Sequence, residues 1–220
     1  MELGYWKVKG ILEPVRYLLH LLQIDYQECH PANYKEYLDI SEQAKFDFPN
    51  MPYLIDGAFK LTESSAIPLY IVIKANRDEL YGHQGPDRST HQMLLGIYED
   101  IIKCMCDIYF AANYLEAYDK MIQWLDTKFH NLSLFLDGRT FLLGYCTYAD
   151  LKLIHVIDML QILQRSLGKS DILAQYENLL VLKQRVKNLP GIKEYLTTNP
   201  SAAYPLFPAD RVRFPLQHIG

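Results

Sequence analysis

The residues with chemistry to offer lie in two places: Tyr5-Trp6 near the N-terminus, and the stretch Phe48 to Ile67, which reads FPNMPYLIDGAFKLTESSAI. A tyrosine hydroxyl, with a pKa near ~10, is a hydrogen-bond donor at neutral pH. Donating to a thiolate stabilises the ionised form, and each unit by which the thiol pKa falls corresponds to about 1.4 kcal/mol. In the second stretch Met51 precedes a turn proline, Pro52. With a cis bond there, the Met51 N–H and C=O face outwards, where an extended peptide can pair with them. Ser64 and Ser65 mark a helix start whose free N–H groups and positive dipole end suit a carboxylate, and Glu63 beside them can hold an amine. Taken singly, each feature also has an ordinary structural use as strand aromatic, hairpin or helix cap.

Other chemistries lack their signals. The chain contains no G-x-G-x-x-G, no G-x-x-x-x-G-K-[ST] and no G-x-S-x-G. Its seven histidines, at 20, 30, 83, 91, 130, 155 and 218, never fall at i, i+2 or i, i+4, so no metal site is expected. The four cysteines, Cys29, Cys104, Cys106 and Cys146, form no C-x-x-C pair, which fits a reducing compartment. A net charge of -4 and a pI near 6.0 provide no basic footprint for nucleic acid. No basic and apolar leader is visible, and the longest apolar run, Ile67 to Ile73, is far too short to span a bilayer, so the expected address is the cytoplasm, without a membrane partner.

At 220 residues, half of them hydrophobic and 22% charged, the chain is long enough for one large domain or two small ones. The elements that must carry the two reactive stretches can be read in order. Glu2 to Val8 reads as a strand, and Ile11, Val15, Leu18, Leu19 and Leu22 recur at helical spacing after Gly10. Asp25 to Cys29 is a second strand, and Asn33 to Lys45 is either a short helix or a loop. Pro52 to Ile55 and Ala58 to Thr62 make a hairpin closed by Asp56-Gly57. A helix follows, capped by a serine hydroxyl and running to about Ala75. The order is β-α-β-α-β-β-α, a mixed sheet flanked by helices.

Beyond the Gly- and Pro-rich stretch Ala75 to Pro86 the pattern is helical throughout. Leu94, Ile97, Ile101, Met105 and Ile108 form one stripe, and Met121, Leu125, Leu132 and Phe135 a second. Thr147-x-x-Asp150 is a capping-box-like start, a fourth pattern runs from Ile172 to Val186, and the tail from Pro200 reads as an irregular arm. The expected division is 1–78, a linker at 79–87, and an all-α domain over 88–220.

Together these residues resemble the tyrosine-type cytosolic glutathione transferases, most closely the mu class. The resemblance is carried by Leu3-Gly4-Tyr5-Trp6 with Gly10, by Asp47 through Gly57, and by Lys60-Leu61-Thr62 with Ser64-x-Ala66-Ile67. It implies a thioredoxin-like domain that binds glutathione, followed by a helical bundle that builds the pocket for a hydrophobic electrophile. It also implies a homodimer with a role in detoxification and no cofactor beyond glutathione as co-substrate. Tyr5 matches the catalytic tyrosine, Met51 before a cis Pro52 the residue that pairs with the cysteinyl part, and Ser64 with Glu63 the γ-glutamyl grip. Asn50 and Trp6 match further glutathione contacts.

Departures accompany the match. Tyr37 and Lys45 are the nearest candidates for the tryptophan and lysine that grip the glycyl carboxylate. The aspartate contributed across the mu-class dimer falls near Cys104, between Asp100 and Asp107, and an interface arginine falls at Ile73. Phe48 matches an aromatic that plugs the partner subunit, and otherwise reads as a core phenylalanine. Tyr109 and Tyr114 are candidates for the electrophile pocket. On the same scaffold, a non-catalytic carrier of apolar compounds or a glutathione-dependent isomerase or peroxidase stands as the alternative to a conjugating enzyme.

Overall fold

The computed structural model describes residues 1–83 and 85–217, so Gln84 of the expected linker and His218 of the tail lie outside the described residues. The chain divides into two compact units. The first comprises Met1–Arg77 with Pro190–Leu206, and the second Asp78–Leu189 with the chain from Phe207 onward.

The first unit holds strands β1 (Glu2–Gly4), β2 (Gln27–Cys29), β3 (Tyr53–Asp56) and β4 (Phe59–Thr62) in the order β2-β1-β3-β4. β1 pairs with β2 in parallel, Leu3 opposite Glu28, and antiparallel with β3, Leu3 opposite Leu54. The parallel pair requires a crossover, which α1 (Glu13–Leu21) supplies, with Val15, Leu18 and Leu19 fully buried. This is the thioredoxin-like arrangement implied by the resemblance. β1 stops at Gly4 rather than Val8, because the Val8 N–H turns back onto the Trp6 carbonyl at 2.7 Å.

The segment left open as helix or loop is a helix, α2 (Tyr34–Ala44). Its ends explain this. The Asn33 side chain accepts from the Glu36 N–H at 3.0 Å, Glu36 accepts from the Ala32 N–H at 2.7 Å, and Lys45 closes the helix in the left-handed region. The hairpin turns one residue later than expected. Asp56 pairs with Phe59, so Gly57-Ala58 is the two-residue loop, with only Gly57 (φ +62°) taking a positive φ. Asp56 is thereby kept in β3, where its carboxylate meets Tyr70 (2.7 Å) and Lys74 of α3 (Ala66–Lys74). Lys74 and Tyr70 hold that carboxyl below its ordinary range.

The expected division departs from the compact units at two points. Residues 78–81 form a 3-10 turn that buries Leu80, and α4 (Pro86–Phe110) begins inside the stretch expected as linker. Helix α8 (Pro190–Thr198) belongs to the first unit, packed on α1. The Tyr195 hydroxyl donates to the two Glu13 oxygens at 3.0 and 3.1 Å, both residues fully buried. Another 3-10 turn, Pro200–Ala203, interrupts the tail expected to be irregular.

In the second unit, α4 packs on α5 (Tyr114–Leu136) and on α6 (Tyr148–Ser166), which α7 (Glu177–Lys187) covers in turn. Of the α4 stripe read from the sequence, Leu94, Ile101, Met105 and Ile108 are buried and Ile97 is half-buried. On α5 the buried face is Tyr118, Leu125, Phe129, Leu132 and Leu136, whereas Met121 is 41% exposed. Tyr118 joins this face, its hydroxyl accepting from Gln164 of α6 at 2.9 Å.

The capping box of α6 is formed. Asp150 accepts from the Thr147 N–H and hydroxyl at 2.8 Å each and from the Leu142 N–H at 2.9 Å. Burial pushes its carboxyl up to about 6 against the pull of those donors. We expect Asp150→Ala to leave the three donors unpaired inside the unit and to cost about 2 to 4 kcal/mol. A lower urea midpoint at unchanged slope checks this.

Candidate active site

Tyr5 follows β1 directly, and its neighbourhood is fixed by backbone and side chains together. Its N–H donates to the Cys29 carbonyl at 3.0 Å, and its carbonyl lies 2.9 Å from His30 Nδ1, which must carry the proton because a carbonyl only accepts. The ring is 9% exposed and its hydroxyl rests against Gly10, where an added Cβ would stand 2.5 Å from the oxygen. Gly10 also has a φ of +45°, so space and backbone both demand glycine beside the hydroxyl.

The loop from Tyr5 to Gly10 is gripped from beneath by a buried charge network absent from the sequence reading. Arg16 donates through Nη1 to the Val8 carbonyl (3.0 Å) and to Glu13 (3.1 Å). It donates through Nε and Nη2 to the two oxygens of Glu28 (2.8 and 3.1 Å). Glu28 also lies 2.9 Å from His30 Nε2, which the Tyr204 hydroxyl approaches at 3.2 Å. Two side chains joined at Glu28 therefore each hold a carbonyl of the Tyr5 loop. Burial raises the Glu13 pKa against the attraction of Arg16, and the same burial opposes the Arg16 charge, which Glu28 and Glu13 sustain. The available signal was Glu13 and Arg16, an acid and a base three apart on an apolar helix.

The proline turn and the start of α3 form the second half of the site. The Met51-Pro52 bond is cis, as expected. The Met51 N–H, expected to be unpaired, instead donates to the Asn50 Oδ1 at 2.8 Å, while the Met51 carbonyl accepts no bond among the described residues. Asn50 Nδ2 donates in turn to Glu63 Oε1 at 2.8 Å. Glu63 is a non-glycine residue in the left-handed region (φ +76°), a conformation that persists only where its surroundings hold it.

The serine cap expected for α3 is not made. Ser65 forms no side-chain cap, and the Glu63 carbonyl accepts from the Ala66 and Ile67 N–H groups instead, at 3.1 Å each. Among the described residues, Ser64 therefore keeps its N–H and hydroxyl unengaged at a helix N-terminus.

The remaining candidates divide. Trp6 meets Tyr37 edge-on at 6.2 Å, and Tyr37, buried and backed by Tyr34 at 5.7 Å, has its hydroxyl pKa raised by burial. Lys45 is exposed at the end of α2, where the Ala44 carbonyl is taken by Lys60. In the second unit Tyr109 is fully buried, with its hydroxyl spent on the Met159 carbonyl at 2.7 Å. Tyr114 is half-buried and packs on Phe214 at 4.9 Å. Burial pushes the thiols of Cys104 and Cys106 up to about 11, which keeps both protonated at neutral pH. Asp107 pairs with Lys103 at 2.8 Å. Phe48 is 79% exposed, so it is not a core phenylalanine. Among the described residues no group of three His, Cys, Asp or Glu side chains can hold a metal ion, and no helix is long and apolar enough to cross a membrane.

Comparison with known proteins places this geometry in a class. The glutathione S-transferase N-terminal domain model matches residues 1–72 and the glutathione S-transferase C-terminal domain model residues 107–199. The chain belongs to the glutathione S-transferase family, and with it to the transferases. It is 34% identical over 218 residues to the class-mu 26 kDa glutathione S-transferase isozyme of Schistosoma mansoni, covering 93% of this chain and 92% of that one. It is 32% identical over 217 residues to the corresponding isozyme of Schistosoma japonicum, covering 93% and 91%. The crystal structure of the glutathione S-transferase Blo t 8 superimposes with a TM-score of 0.83 at 26% identity, covering 97% of this chain and 99% of that one.

The network generates a prediction. Arg16→Met removes the guanidinium that buried Glu13 and Glu28 share, at a cost of about 3 to 5 kcal/mol at pH 7. Glu13 then titrates above its unfolded value, so the penalty is full above that raised pKa and fades as the pH falls towards ~4.5. Urea midpoints of the variant and the parent, compared at pH 7 and pH 5, check both statements.

Proposed function

We propose that this chain conjugates the thiol of glutathione to apolar electrophiles, with the Tyr5 hydroxyl holding the thiolate. The observation that carries the reading is the placement of that hydroxyl: it is set against Gly10 by a loop whose carbonyls are gripped by His30 and Arg16, and it follows the strand beside the Met51-Pro52 turn. A donor fixed in this way stabilises developing negative charge without reorganising.

In this reading the Met51 N–H and C=O pair with the cysteinyl residue of glutathione. Ser64, through its N–H and hydroxyl at the positive end of α3, takes the γ-glutamyl carboxylate, and Glu63 takes its ammonium. Trp6, Asn50, Tyr37 and Lys45 border the rest of the tripeptide. The thiol proton leaves to solvent, and the sulfur, kept ionised by the Tyr5 O–H, donates its electron pair to an electrophilic carbon. A C–S bond forms as the leaving group departs with the electrons of the broken bond. The chemistry is that of detoxification, and free cysteines at 29, 104, 106 and 146 are consistent with work in the reducing cytoplasm.

Phe48 supports a homodimer. An aromatic ring 79% exposed on a proline-bounded turn is a large apolar group in want of a cover, and a second copy of the chain supplies one. Phe48→Ser is expected to shift the mass measured by light scattering towards the monomer at micromolar concentration, with the fold intact by circular dichroism.

Tyr5→Phe removes one hydrogen bond to the sulfur. For a bond that lowers the thiol pKa by about one to two units, turnover of a halogenated nitroarene near pH 6.5 should fall about tenfold to a hundredfold. Retention on immobilised glutathione should persist, and the rise of activity with pH should move towards that of the free thiol. Unchanged turnover would remove Tyr5 from the mechanism.

A further inference from the structure

We infer that the chain from Tyr204 to Leu206 is a strap that positions the Tyr5 hydroxyl, with the Tyr204 ring as its pin. This rests on the reading of Tyr5 given above, and it adds residues that reach the thiolate only through that hydroxyl. The hydroxyl lies against Gly10, so whatever fixes Gly10 sets the reach of the donor. Two successive N–H groups of this loop are spent on the strap. Lys9 donates to the Pro205 carbonyl at 2.8 Å, and Gly10 donates to the Leu206 carbonyl at 2.9 Å. From the other side Arg16 holds the Val8 carbonyl at 3.0 Å and His30 holds the Tyr5 carbonyl at 2.9 Å. The loop is thus held by its carbonyls from α1 and the end of β2, and by its N–H groups from a segment far along the chain.

The strap is stiff and seated. Pro205 fixes its own φ and keeps Tyr204 extended, at φ −62° and ψ 147°. The Tyr204 N–H closes the preceding 3-10 turn on the Ser201 carbonyl at 3.1 Å, and Leu206 is buried. The Tyr204 ring stands edge-on to His30 at 5.4 Å, with the Arg16 guanidinium 5.5 Å and the Lys7 ammonium 5.7 Å from its centre. Its hydroxyl lies 3.2 Å from His30 Nε2. Arg16 and His30, which grip the carbonyls of the loop, therefore also hold the pin of the strap, so the two sides of the grip move together. Among the described residues, the hydrogen bonds and ring contacts of the strap reach none of the groups assigned to the tripeptide. Loosening it changes what Tyr5 does for the sulfur while the tripeptide stays bound.

The test uses the full-length protein with Tyr204→Leu, which keeps apolar bulk without a π face, and Tyr204→Phe, which keeps the ring. In Tyr204→Leu the pKa of the bound glutathione thiol, read from the ultraviolet absorbance of the thiolate, should rise by about half a unit to one unit. Turnover of a halogenated nitroarene at pH 6.5 should fall about threefold to tenfold with it. The deficit should close above the ordinary thiol value of ~8.5, where ionisation no longer needs Tyr5. The glutathione Kd should stay within about twofold, and Tyr204→Phe should restore both the thiol pKa and turnover. Hydrogen exchange at the Lys9 and Gly10 amides should be slow in the parent and faster in Tyr204→Leu.

Parental thiol pKa and turnover in Tyr204→Leu, beside a Tyr5→Phe variant that is impaired, overturn the strap and leave the functional reading standing. A Kd weakened as much as turnover, or a deficit that persists at every pH, also overturns it, since the segment then serves the fold rather than the hydroxyl. Tyr204→Phe as impaired as Tyr204→Leu overturns the ring as the pin. Rapid exchange at Lys9 and Gly10 in the parent overturns the strap whatever the variants do, because the bonds are then not held. A parent whose turnover Tyr5→Phe leaves unchanged overturns the functional reading, and the strap then has no donor to position.

Discussion

The first unit depends on one buried guanidinium. Arg16 sits among Glu13, Glu28 and the Val8 carbonyl with no exposed surface, and removing such charges from water costs several kcal/mol per ion unless the geometry repays it. Here it does. The fork of Arg16 takes both oxygens of Glu28, Tyr195 satisfies the far side of Glu13, and Ser201 adds a longer contact to Glu28 at 3.3 Å. Because each partner sits on a different element, the network fixes the register of α1, β2, α8 and the loop after β1. The Tyr5 hydroxyl is placed as a by-product of that fit.

The two halves of the site are built to different standards. The Tyr5 side is enclosed and multiply bonded, so its geometry is rigid in the sense that any displacement must unpair a buried charge. The side formed by Asn50, Met51, Glu63 and Ser64 is loop-borne and largely exposed, and its hydrogen bonds can be exchanged for others at small net cost. In the proposed reading, a rigid donor beside an adaptable cradle suits capture of a flexible tripeptide with chemistry at one of its atoms.

Much of this was legible in the amino-acid sequence. Gly10, the Pro52 turn and the Thr147-x-x-Asp150 box are local signals with local causes, and each matches its place in the fold. What escaped was set by partners distant in the chain. No local pattern at Glu13 points to Tyr195, which lies 182 residues away, and no pattern at Asn33 to Lys45 chooses helix over loop until the Asn33 and Glu36 caps are seen. Tyr109 illustrates the opposite error. An aromatic on a helix reads equally well as pocket wall or as packing, and the Met159 carbonyl decides for packing. The hairpin slipped by one residue because Asp-Gly and Gly-Ala are both acceptable turn pairs, and the contact from Asp56 to α3 selects between them.

The inclusion of residues 190–206 in the first unit bears on how the molecule is made. A ribosome releases the residues of β1 and α1 early, yet the tyrosine that closes over Glu13 follows that glutamate by 182 residues. Until then the nascent N-terminal half carries an acid facing an unfilled gap. Its final consolidation waits for residues 190–206, which ties the quality of the first unit to translation of the helices in between.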